Sequence, residues 1–200
     1  MNTYTPSRTN MGAQAPAQPR KPNIGLIGAA VFIISESVFF LGVFLAYFYL
    51  RADTRLISDQ PAPALLLPVL NTLVLAFSVV AIAWAERGIA RGQQRRLVTG
   101  ITIAAALGLV FMAVQSVEFV NLARLGFTPS SSAFGSTFFA LLMFHVARVF
   151  AGVSFMVIVL IRALMGQFSV RRRVAVQACA LYWYFIACVW LVVFVVLYIV

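Results

Sequence analysis

Five continuous apolar stretches fill most of this chain, at about residues 24–50, 65–85, 98–123, 134–165 and 175–200. Each has at least the roughly 20 residues that carry a helix across a bilayer, and a barrel strand needs only about 9–11. Hydrocarbon offers no partner to a bare peptide group, so each stretch must satisfy its own backbone as a helix. Composition agrees: 62% of residues are hydrophobic and 10% are charged, against about 25% charged in a soluble domain. The expected fold is all-α, a polytopic membrane protein with five transmembrane helices in one bundle. Residues 23–200 form that domain. Residues 1–22 are polar, contain proline and lack apolar periodicity, so they read as a disordered tail. They do not read as a signal peptide, because Arg20 and Lys21 lead into a long span without a short apolar core or cleavage site.

The net charge of +10 would suggest nucleic acid in a soluble protein. With no sizeable soluble domain, it reads instead as a topology signal, and no nucleic-acid partner is expected. Arg8, Arg20, Lys21, Arg87, Arg91, Arg95, Arg96, Arg162, Arg171, Arg172 and Arg173 fall on one side of the spans. Only Arg51, Arg55 and Arg124 fall on the other. Eleven against three over five crossings predicts a cytoplasmic N-terminus.

The scarce residues narrow the chemistry. There is one histidine, His145, and two cysteines, Cys179 and Cys188. Nine residues apart on one helix, the cysteines are too distant for a disulfide, and neither belongs to a C-x-x-C pair. One histidine cannot supply bis-histidine haem ligation or a multi-histidine copper centre. No phosphate-binding glycine loop is present. The expectation is no catalytic residue, no metal site and no cofactor held by this chain.

Four ionisable groups lie at membrane depth: Glu36, Glu118, His145 and Arg148. Such groups are costly in lipid and are paired or functional. The bland reading is mutual satisfaction within the bundle, and the sharper one is a proton path. Asn71, Ser78 and Gln115 are candidates for interhelical hydrogen bonds of about 0.6 kcal/mol each, and Gly42, Gly108 and Gly152 for close helix approach. Depth can be counted from the basic residues anchoring each helix. Glu36 lies 15 residues beyond Lys21, Arg148 lies 14 before Arg162, and Ala187 lies 14 beyond Arg173. At ~1.5 Å per residue all three sit roughly 21–23 Å from their anchors. Glu118 lies nearer the opposite interface. The register yields the hypothesis that Arg148 pairs with Glu36, leaving that carboxylate a fixed charge rather than a proton carrier. The alternative is that the first and fourth helices do not face each other there and each group meets lipid headgroups, water or another subunit.

Particular strings then become informative. Residues 35–50, SESVFFLGVFLAYFYL, with Arg51 after them, resemble the first retained span of cytochrome c oxidase subunit III. Asn71-Thr72 in the second span and Gln115-Ser116-Val117-Glu118-Phe119 in the third resemble it too. Phe134-Gly135-Ser136-Thr137-Phe138-Phe139, then Phe144-His145 and Gly152, are similar to its fourth-span signature. Leu181-Tyr182-Trp183 with Phe185 and Val189-Trp190 are similar to its last span. The likeness covers about residues 24–200 and points to the short five-helix bacterial form, which lacks two N-terminal spans.

The resemblance implies a non-catalytic core subunit of a haem–copper terminal oxidase in the bacterial cell membrane. It implies haem and copper in partner subunits I and II, bound phospholipid, a supporting role in stability and proton uptake, and a place in the respiratory chain that extends to larger assemblies. The family's buried carboxylate falls on Glu36. Three positions depart from the family pattern: a second histidine is replaced by Arg148, a histidine after the Tyr-Trp pair by Tyr184, and an aspartate by Ala187. These are expected to alter one buried polar layer. A quinol oxidase subunit III, a subunit-III-like companion of nitric oxide reductase and, from another class, a free-standing small transporter are the alternatives. Glu36, where quinol oxidases tend to carry aspartate, favours cytochrome c. No broken spans in matching halves favour the transporter.

Overall fold

A computed structural model of the chain describes residues 24–52, 65–130 and 132–199. The expected tail at 1–22 and the Pro61–Pro63 link lie outside the described residues. The helices are α1 (Ile24–Arg51), α2 (Leu66–Ala90), α3 (Gln94–Arg124), α4 (Ala133–Leu164) and α5 (Val174–Phe194), the last continued by a π-helical turn at Val195–Ile199. All five are long and apolar enough to cross a membrane, counting α5 with its π turn, and no strand occurs among the described residues. The chain is an all-α, polytopic, five-helix membrane protein.

The spans differ from the expected ones mainly between α2 and α3. The basic stretch 86–97, expected as a link, is helical except for a turn at 91–93. Arginine is a good helix former, so charge there marks depth in the membrane rather than a break in the helix. Glycine makes the break. Gly92, Gly126 and Gly166 have φ of 73°, 80° and 69°, the left-handed region in which only glycine escapes a Cβ clash. After each, the next amide reaches back to a carbonyl of the last helical turn: Gln93 N to Gly88 O, Phe127 N to Leu122 O, Gln167 N to Arg162 O, at 2.9–3.1 Å. Three helices therefore end on the same glycine-closed turn. The N-terminus of α4 is capped by Ser132 Oγ, which accepts from Gly135 N at 2.9 Å.

Helices α2, α3, α4 and α5 pack in a ring, each against its neighbours, and α1 lies outside it against α4 and α5. Small residues set the closest approach. A Cβ on Gly100 would come within 2.7 Å of Ala85 Cβ and 2.9 Å of Ala81 O, so α2 and α3 meet nearly backbone to backbone. Gly108 of α3 and Gly152 of α4 together make the slot for the indole of Trp183, which is fully buried. Gly42 has nothing within 4 Å of its Cβ position. The expected packing role fails there because Gly42 faces away from α4 and α5.

At the end of the bundle richest in arginine, α1 carries no buried residue before Phe40. The two turns at that end are tied: Gln94 Nε2 donates to Ala163 O at 2.5 Å, which satisfies a terminal carbonyl of α4.

Candidate functional site

Two polar groupings occupy the membrane interior. The first joins α1 to α4. Arg148 Nε donates to Glu36 Oε2, forming the salt bridge that the depth register predicts. Arg148 Nη1 also donates to Phe144 O at 3.1 Å, the carbonyl one turn back. The guanidinium carbon lies 4.6 Å from the ring centres of both Phe39 and Phe40 and 5.9 Å from Phe144. A carboxylate and three π faces thus surround the cation, each attracting it in a medium that screens poorly. The side chains of Arg148 and Glu36 keep 13% and 19% of their exposure, so the pair sits at the rim of the bundle rather than in its core. Tyr182 of α5 closes one side, with its hydroxyl 3.5 Å from Arg148 O.

The second grouping lies inside the ring. Asn71 Nδ2 donates to Phe111 O (3.2 Å) and Gln115 Oε1 (3.3 Å), and Gln115 Nε2 donates to Glu118 Oε2 (2.8 Å). Tyr198 Oη donates to Glu118 Oε1 at 2.5 Å. Glu118 is buried without a cation among the described residues, yet both of its oxygens accept a hydrogen bond, which is what keeps a buried carboxyl tolerable. His145 is fully buried between the rings of Trp190 (5.1 Å) and Phe111 (5.8 Å). Two indoles are pinned to α2 as well: Trp183 Nε1 donates to Ser78 Oγ and Trp190 Nε1 to Thr72 Oγ1, each at 2.9 Å.

Asn71, Ser78 and Gln115 therefore make the interhelical bonds expected of them. Trp183 as the donor to Ser78, Trp190 as the donor to Thr72 and Tyr198 as the donor to Glu118 were not anticipated. An indole N–H or phenol O–H buried in a span must find an acceptor, and that rule would have flagged all three. Glu86 was also missed, since it lay beyond the expected end of the second span. Its Oε2 accepts from Tyr184 Oη at 3.1 Å.

The three departures from the family pattern do not share one layer. Arg148 faces Glu36, whereas Tyr184 and Ala187 line a separate groove of about 350 Å³ between α2 and α5, with Leu75, Val79 and Cys188. Equal depth places residues on one ring around the bundle, and azimuth decides which of them meet. Among the described residues no three His, Cys, Asp or Glu side chains come together in a metal-binding cluster.

The fold and these groupings define a polytopic helical membrane subunit whose ionisable groups bind its helices to one another. The chain matches the family model described as Cytochrome c oxidase subunit III over residues 11–200. It is similar to cytochrome c oxidase subunit 3 of the platypus Ornithorhynchus anatinus, 35% identical over 179 residues that cover 86% of this chain and 67% of that one. The wheat protein, from Triticum aestivum, is 36% identical with 86% and 66% coverage. The Gallus gallus protein is 33% identical with 86% and 67% coverage. The chain belongs to the cytochrome c oxidase subunit III family, and so to the subunits of a haem–copper oxidoreductase complex.

Proposed function

We propose that this chain is a non-catalytic subunit III that stabilises the catalytic subunit of a cytochrome c oxidase and sustains its proton uptake during electron transfer to O₂. The observation that carries the reading is where the chain's membrane-depth ionisable groups go. Glu36 goes to Arg148, Glu118 to Gln115 and Tyr198, and His145 into an aromatic box. None is presented outward as a ligand, which fits a chain whose partners, subunits I and II, hold haem and copper. The names of the relatives favour cytochrome c over quinol as electron donor.

Bound phospholipid belongs to the same reading. Arg162, Arg171 and Arg172, with Gln167 and Phe168, line a cleft of about 500 Å³ where α4 turns into α5. Three cations beside an aromatic ring suit a lipid phosphate at headgroup depth. The charge asymmetry supports a cytoplasmic N-terminus.

The test is to purify the oxidase from cells lacking this chain. Haem content and the initial rate of O₂ reduction should be kept, while activity decays over successive turnovers. Loss of haem from an otherwise assembled complex would reject the supporting role.

A further inference from the structure

The inner polar chain has a direction. Both oxygens of Glu118 accept, one hydrogen bond from Tyr198 and one from Gln115. Gln115 therefore turns its amide nitrogen to Glu118 and its oxygen to Asn71, and Asn71 answers with its own amide nitrogen. The orientation propagates inward from the carboxylate and leaves an acceptor, Asn71 Oδ1, at the inner end. That oxygen is buried with no hydrogen-bond partner among the described residues, and so are both ring nitrogens of His145.

These orphans share a level. Asn71 lies 16 residues before Arg87, Phe111 15 after Arg96, His145 17 before Arg162 and Trp190 17 after Arg173. At ~1.5 Å per residue that is roughly 22–26 Å from the arginine-rich end on all four helices of the ring. The contacts agree. Phe111 accepts from Asn71 through its carbonyl, its ring lies 4.8 Å from Trp190, and His145 touches both rings. Trp190 gives its indole N–H to Thr72, so among the described residues the His145 nitrogens meet ring surfaces and no donor or acceptor.

A neutral imidazole carries one N–H and one lone pair, and Asn71 Oδ1 adds a second acceptor. One donor and two acceptors, fully buried inside this chain and out of reach of a partner subunit, call for a small species that both donates and accepts. Water is the species of that chemistry, and polar sites with this pattern hold it in folded proteins. We propose that Asn71 and His145 bind internal water at the centre of the four-helix ring, extending the Tyr198–Glu118–Gln115–Asn71 chain to His145. Because the two imidazole nitrogens diverge, the site needs more than one water to satisfy both.

The chain has a single histidine, so histidine-specific ¹⁵N labelling reports His145 alone. The full chain in lipid nanodiscs would be studied by magnetisation transfer from water protons to the ring nitrogens. The expected result is transfer at short mixing time, with ring shifts of a hydrogen-bonded neutral imidazole, and loss of that transfer in Asn71→Leu. No transfer in the unsubstituted chain, with shifts of an unbonded ring, would overturn the proposal and needs no variant to interpret. Undiminished transfer in Asn71→Leu would overturn the shared site. Thermal unfolding of His145→Phe gives a second reading. If the nitrogens are dry, a ring without them relieves a buried penalty and the melting temperature holds or rises, which rejects the water. If water binds, the melting temperature falls.

Discussion

Tyr198 Oη sits 2.5 Å from Glu118 Oε1 although 80 residues separate them. The contact depends on the last turn of the chain being π-helical, which buries Val196, Leu197 and Tyr198 in succession. A regular α-helix would carry one of three consecutive residues away from the core. Such π turns recur where a side chain must be re-aimed, and here the turn aims a phenol at a buried carboxyl.

Tyr198→Phe should therefore destabilise the chain by about 1–3 kcal/mol, the usual penalty for leaving a buried acceptor without its donor. Denaturant unfolding in mild detergent measures it. An unchanged midpoint would mean that Glu118 does not need the phenol.

Removing one partner of the outer pair should cost more than removing both. Glu36→Gln leaves Arg148 without its carboxylate and should cost about 3 kcal/mol, the low end for breaking a buried pair, because both side chains keep some exposure. Adding Arg148→Met should recover much of that loss. Strictly additive losses in the double-mutant cycle would show that the two groups are uncoupled.

The glycines separate into two kinds, and alanine tells them apart. At Gly152 a Cβ would come within 2.9 Å of Trp183 and Ile186, so Gly152→Ala should cost about 1–3 kcal/mol by overpacking. At Gly42 the position is open, and Gly42→Ala should stabilise by about 0.4–1 kcal/mol by restricting the unfolded chain. Equal effects at the two sites would contradict the packing described.

Topology is testable at the two exposed turns. With both native cysteines replaced by alanine, a cysteine at Gln93 should react with impermeant maleimide only from the cytoplasmic side, and one at Ser130 only from the other. Labelling of both from the same side would reverse or break the five-span topology.

Much of this fold was legible because lipid leaves so few alternatives. Glu36 and Arg148 could be paired from sequence since each lies on a helix anchored by a basic residue, so counting gave their depth. Ala187 was misplaced by the same count and Tyr184 by the family pattern, because neither gives azimuth and both residues line the groove between α2 and α5. Tyr198 was invisible for a different reason: a register assuming 3.6 residues per turn points it away from Glu118, and the sequence carries no marker for the π turn. Trp183 and its slot needed Gly108, Gly152 and Ser78 from three other helices. Tertiary packing alone brings those together.

The position of α1 outside the ring also sets a schedule for synthesis. Glu36 reaches the membrane first, but Arg148 follows 112 residues later. At about 5–20 residues per second, translation takes roughly 6–22 s to supply it. Throughout that interval the α2–α3 hairpin can close on its own small residues, while α1 has neither α4 nor α5 to pack against. Its carboxyl must wait in the translocon or against lipid headgroups, so α1, made before the other four described helices, is the last of them to be docked.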